Sequence, residues 1–211
     1  MDARVALPGD GVWRPIHDGS LDENPLVYAT LLHPDPQRPW SKLFAFAMDL
    51  RHLDVHAVPG TEEPKSMLPT PASLRTGLIP RQDHARLVVA LNGGFKAEHG
   101  RHGMHVSGTT LLPAREGMCT IAGYEDGTVR IGTWAKLAPS EGSAKWWRQT
   151  PPCMVEAGTL HRGLLVDANT NWGAALGGDV VIPRSALGLD QAGTTLYFSL
   201  SHDATPRIIA K

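Results

Sequence analysis

Apolar positions arrive in short runs broken by proline, glycine and aspartate, a rhythm that predicts strands joined by turns rather than long helices. Residues 26–32 (Leu-Val-Tyr-Ala-Thr-Leu-Leu) read as a strand, stopped by His33-Pro34-Asp35-Pro36, where two prolines remove backbone donors. Residues 42–50 form a second apolar run, and 52–58 alternate Leu53, Val55 and Ala57 against polar neighbours, so strand-turn-strand is expected. Residues 59–80 hold five prolines and predict a long surface loop. Residues 79–87 suit a short helix, and 88–91 (Val-Val-Ala-Leu) a short buried strand running into Asn92-Gly93-Gly94-Phe95. Short strands follow within 104–112, and 118–131 predict a hairpin turning at Asp126-Gly127. Residues 164–166 and 194–200 read as further strands, and Pro206 opens a helical turn. The expected fold class is α+β: a sheet-rich mixed β core with few short helices. An irregular segment over 1–25 is expected to precede one domain over 26–211.

Composition narrows the classes. Apolar residues make up 42% and charged residues 19%, an ordinary globular balance, and 22 glycines with 17 prolines favour many short elements. A formal net charge of −1 offers no basic footprint for nucleic acid. No stretch approaches the roughly 20 apolar residues of a membrane span. The first residues lack the apolar core of a signal peptide, which leaves localisation open. Cys119 and Cys153 match no metal or redox spacing. Their apolar contexts predict two buried free thiols, with a single disulfide as the rival.

Several residues are candidates for chemistry. Asn92-Gly93-Gly94-Phe95 reads as a tight turn, and adjacent glycines also allow a nest of backbone N–H groups for an anion. His99, His102 and His105 recur at three-residue steps, but the glycines between them argue against one helical face, so solvated loop histidines are expected and no metal. Arg184 offers a planar fork for phosphate, with the Ser185 hydroxyl beside it. Glu156, Asp167 and Asp203 each fall at an expected strand end, where a scaffold presents catalytic carboxylates and where most carboxylates cap turns. Trp134, Trp146, Trp147 and Trp172 supply flat faces for sugar stacking, with core packing the commoner use. There is no Gly-x-Ser-x-Gly elbow, P-loop or dinucleotide fingerprint.

The order of the pieces resembles the bacterial branch of the phosphodiester glycosidase family. The resemblance runs from about residue 11, through Gly11-Val12-Trp13, Met48-Asp49-Leu50, Leu91-Asn92-Gly93-Gly94-Phe95 and Asp126-Gly127-Thr128, to Asn171-Trp172-Gly173 and Arg184-Ser185-Ala186-Leu187-Gly188. It implies hydrolysis of a sugar 1-phosphodiester on a glycan or envelope polymer. The phosphate would be held by Arg184 and the Asn92–Gly94 turn. Gly93, Ser185, Gly188 and Trp172 would complete the binding set, and a carboxylate from Glu156, Asp167 or Asp203 would act as base or nucleophile. A phosphate monoester leaves readily, so the site needs donors more than a strong acid. The resemblance implies no cofactor, a carbohydrate or sugar-phosphate partner and an extracytoplasmic setting. The family continues beyond the Arg-Ser-Ala-Leu-Gly strand, so the domain is expected to be C-terminally incomplete and to turn over little by itself. The alternative is a non-catalytic glycan-binding or structural module of a larger envelope protein.

Overall fold

The computed structural model describes residues 6–17, 24–67, 69–165, 171–172 and 180–210. The described residues are sheet-rich with few short helices, 34% of them in strands and 16% helical. It comprises two compact units: Met1–Leu53 with Met154–Lys211, and Asp54–Cys153. The second unit is therefore an insertion in the first.

The first unit opens with β1 (Arg14–Ile16), β2 (Val27–Leu32) and β3 (Leu43–Asp49). β1 lies within the segment expected to be irregular, and it pairs with β2 through Arg14 and Ala29. The second unit holds β4 (Met104–Val106), β5 (Thr109–Leu112), β6 (Cys119–Tyr124), β7 (Val129–Thr133), the short helix α1 (Trp134–Leu137) and β8 (Ala144–Thr150). The chain then returns to the first unit with β9 (Val155–Glu156), β10 (Thr159–Leu160), β11 (Ile182–Leu189), β12 (Thr195–Ala204) and α2 (Pro206–Ile209).

The first unit's large sheet has the order β1-β2-β3-β12-β11, every pair antiparallel. Side chains alternate across it as the strand period requires. Leu32, Leu43 and Ala186 point to one face, where Ala204, Ile208 and Ile209 complete a core with Met154. Phe46 and Phe198, directly paired, stack with centroids 6.1 Å apart. The β11–β12 hairpin is closed by Asp190, whose Oδ1 accepts from the N–H groups of Thr194 at 2.7 Å and Thr195 at 2.9 Å. Thr205 caps α2 by accepting from the Ile208 N–H at 3.2 Å, and Pro206 occupies the first turn, where its missing donor costs nothing.

The second unit's sheet has the order β5-β4-β8-β6-β7, again antiparallel throughout. The adjacent tryptophans of β8 serve opposite faces. Trp147 packs with Ala122, Tyr124, Trp134 and Leu137, while Trp146 packs with Met104, Val106 and Leu111. Gly123 makes room for Trp146, since a Cβ there would stand 2.5 Å from the indole Nε1. These three tryptophans are core residues, each at most 7% exposed.

Four expectations are corrected. Residues 52–58 form no strand; Val55 and Ala57 instead pack on the Trp146 side of the sheet, and Trp146 Nε1 donates to the Val55 carbonyl at 3.0 Å. Residues 88–91 form no strand and are not buried, with Val88 44% and Val89 42% exposed; neither sheet takes this run in. Residues 162–165 make a 3₁₀ turn where a strand was expected at 164–166, of which Val166 lies outside the described residues. Cys119 and Cys153 are joined in a disulfide rather than free. The register explains the last point. Cys119 pairs with Thr150 and donates its N–H to the Pro151 carbonyl at 3.3 Å, which brings the chain just past β8 back beside β6.

Candidate functional site

The polar end of β8 organises the second unit's loops. Arg148 shares the Trp146 face of the sheet, opposite Met104 and Ile121, and is 7% exposed. No carboxylate among the described residues bonds its guanidinium. It donates instead to four backbone carbonyls: from Nε to Gly93 at 3.3 Å, from Nη1 to His102 at 2.5 Å and Gly103 at 3.2 Å, and from Nη2 to Phe95 at 2.6 Å. Residues 93–103 thus form a loop with both ends tied to one side chain. Burial lowers the pKa of Arg148 to about 10, opposed by the charge of Glu63; the group stays cationic at neutral pH.

Glu63 braces the same loop by accepting from the Ala97 N–H at 2.8 Å, a bond that leads the causes holding its carboxyl below the ordinary range. Arg75 in turn ties down the segment carrying Glu63. Its Nε donates to the carbonyls of Gly60 at 3.1 Å and Thr61 at 3.2 Å, and its Nη1 to Pro64 at 2.8 Å.

Above Arg148 lies the Asn-Gly-Gly turn. Asn92, Gly93 and Gly94 are exposed. Gly94 has φ of 130°, and a Cβ there would meet Arg148 Nε at 3.1 Å. The Gly93 and Phe95 carbonyls accept from the guanidinium, while none of the N–H groups of residues 92–95 donates to another group among the described residues. Exposed amides over a buried positive charge make a donor surface for an anion.

His102 lies in the same loop, 5% exposed and tilted against Phe95 with centroids 5.5 Å apart. Burial, then the charges of Arg148 and Arg115, lower its pKa to about 4, against a bond to the His99 backbone. It is neutral at pH 7, and its Nδ1 has no partner among the described residues. His105 stacks on Trp147, and its Nδ1 meets Thr110 Oγ1 at 2.9 Å, so the three histidines do not converge. No group of three metal-ligating side chains gathers among the described residues.

The other expected site residues belong to the first unit. Arg184, on β11, directs all three guanidinium nitrogens to backbone carbonyls: Nε to Ala204 at 2.9 Å, Nη1 to Trp172 at 2.8 Å and Nη2 to Val180 at 3.2 Å. Burial lowers its pKa. Ser185 is exposed and Gly188 half-buried on the same strand. Trp172, expected as a stacking face, is buried at 7% exposure, T-shaped against His161 at 5.3 Å. Glu156 is half-buried on β9. Asp203 is exposed near the end of β12; its carbonyl accepts from the fully buried Ser41 hydroxyl at 2.6 Å. Asp167 lies outside the described residues.

Sequence reasoning missed Arg148, Glu63, Arg75 and His102 as site builders. The available signal was Trp146-Trp147-Arg148-Gln149-Thr150, two tryptophans followed by three polar residues ahead of the strand-stopping Pro151-Pro152. No protein-family profile and no curated protein sequence matches the chain. No helix among the described residues is long and apolar enough to cross a membrane.

Proposed function

We propose that the chain acts on a sugar 1-phosphodiester and seats the phosphate on the exposed amides of Asn92, Gly93 and Gly94. The observation that carries this reading is the buried Arg148 guanidinium, which takes up the carbonyls of Gly93 and Phe95, while no N–H group of residues 92–95 donates to another group among the described residues. An anion there gains backbone donors and a low-dielectric positive charge beneath them. The motif order from Gly11 to Gly188 supports the substrate class, and the Cys119–Cys153 disulfide supports an extracytoplasmic setting. Hydrolysis of the glycosidic bond would release a phosphomonoester.

A second reading, a glycan-binding module without turnover, is favoured by Arg184. Its three nitrogens already serve carbonyls, which leaves a partial fork for phosphate. Calorimetric titration with a methyl phosphodiester of N-acetylglucosamine 1-phosphate, alongside release of reducing sugar, separates the two. Saturable binding weakened about tenfold by Gly94→Ala supports the turn as the phosphate seat. Reducing-sugar release supports hydrolysis, and binding without release supports the module. Binding equal in the wild type and Gly94→Ala would remove the turn from the site.

A further inference from the structure

A cavity of about 530 Å³ opens in the second unit at the tip of the loop tied to Arg148. Arg101 and Arg115 line it together with Glu98, and Met67, Ala97 and Pro113 supply apolar wall. Gly100 completes the lining.

Arg115 is positioned by a buried amide. The fully buried Gln149 side chain accepts from the Arg115 N–H at 2.8 Å and donates to its carbonyl at 3.1 Å, so the residue's backbone is gripped from both sides. The Arg115 guanidinium also donates to the Gly100 carbonyl, leaving further N–H donors of its fork. Arg101 has φ of 46°, a left-handed conformation uncommon for a side-chain-bearing residue, fixed by a bond from its N–H to the Ala97 carbonyl at 2.8 Å. Neither arginine has a carboxylate partner among the described residues. Glu98 is shared between Lys96 at 3.9 Å and His99 at 3.6 Å, so its charge is partly balanced away from the arginines.

Behind the lining lies His102. A Cβ on Gly100 would stand 2.6 Å from its Nε2, so the imidazole packs directly against the backbone of the cavity wall. Two unpaired cations on braced backbone, one acceptor and an apolar wall make a site for an oxyanion attached to a polar body. The volume is far larger than a bare phosphate and falls in the lower part of the range for small-molecule pockets, roughly 300–1,000 Å³.

We propose that this cavity is a second anion subsite, in which Arg101 and Arg115 hold the phosphate or carboxylate of a monosaccharide-sized ligand and Glu98 accepts from its hydroxyls. The proposal does not depend on hydrolysis at the Asn-Gly-Gly turn. The experiment is titration of the ¹⁵N-labelled chain with glucose 6-phosphate, and separately with glucose, followed by amide shifts and by the His102 imidazole resonances. Saturable shifts at residues 97–101, 113–115 and His102 are expected with glucose 6-phosphate, and none with glucose. Arg115→Gln and Arg101→Gln, both at exposed positions and so expected to fold, should each weaken binding at least tenfold, while Arg130→Gln, exposed and outside the lining, changes it less than twofold. Equal affinity for glucose, or full affinity in both arginine variants, overturns the subsite. Shifts confined to residues 92–95 also overturn it, because they move the anion to the turn.

Discussion

Arg148 and Gly94 are matched by contact: the guanidinium fills the space a Cβ on Gly94 would need, 3.1 Å from Nε, and Gly94 holds φ of 130°. Gly94→Ala therefore meets steric crowding and a backbone conformation that L-residues avoid, and is expected to lose about 1–3 kcal/mol of stability. Gly93 is the internal control. A Cβ there meets nothing within 4 Å, so Gly93→Ala should change stability by about 1 kcal/mol or less. Urea unfolding of the two variants checks the contrast, and equal losses would contradict it.

Arg148→Met strips the charged donor from the carbonyls of Gly93, Phe95, His102 and Gly103. Hydrogen bonds to charged groups are worth about 1.5–3 kcal/mol each, and relief from burying the cation offsets part of the loss. A net destabilisation of about 3 kcal/mol is expected. Arg148→Lys should recover little of it, because an ammonium cannot span four carbonyls in one plane. Amide exchange over residues 93–103 should rise in both variants before global unfolding does.

His102 ties stability to pH. Unfolded, it takes a proton near its ordinary 6.5; folded, only near about 4. Between those values the unfolded chain binds more protons, so stability is lost as pH falls from about 6.5 toward 4. Wild-type urea midpoints should decline between pH 7 and pH 5. His102→Gln, which cannot take that proton, should show a shallower decline. Identical slopes would mean that His102 titrates normally in the folded protein.

The disulfide closes a loop across a sequence separation of 34. Chain-entropy reasoning puts its contribution at about 4 kcal/mol. Thermal unfolding with and without reductant should differ accordingly, and unfolded, unreduced protein should titrate no free thiol. Two free thiols in that assay would restore the apolar-cysteine reading of the sequence.

Local signals were legible where one strand and its turn sufficed. The Asp126-Gly127 hairpin, the strands at 27–32 and 43–49, the first part of the strand at 195–204, and the turn opened by Pro206 all follow from period and punctuation. The run at 88–91 misled because apolar content predicts burial only when a partner strand exists, and nothing in those residues says whether one does. The cysteines misled similarly: their pairing depends on β6 lying beside β8, a relation between distant segments. The Asn-Gly-Gly turn was visible, but the group beneath it was not. Arg148 stands 53 residues beyond Phe95, and only the fold joins them.

The strand order of the first unit has a consequence for how the chain emerges from a ribosome. β3 pairs with β12, so the sheet's third strand waits for a partner about 150 residues further on. At roughly 5–20 residues per second that is about 7–30 seconds of translation, during which the edge of β3 carrying Phe44 and Phe46 has no ladder. The inserted unit, whose strands all pair within residues 104–150, is complete long before. Nascent chains stalled just before β12, with the insertion clear of the exit tunnel, are thus expected to protect the insertion from protease while the first fifty residues remain open to chaperones.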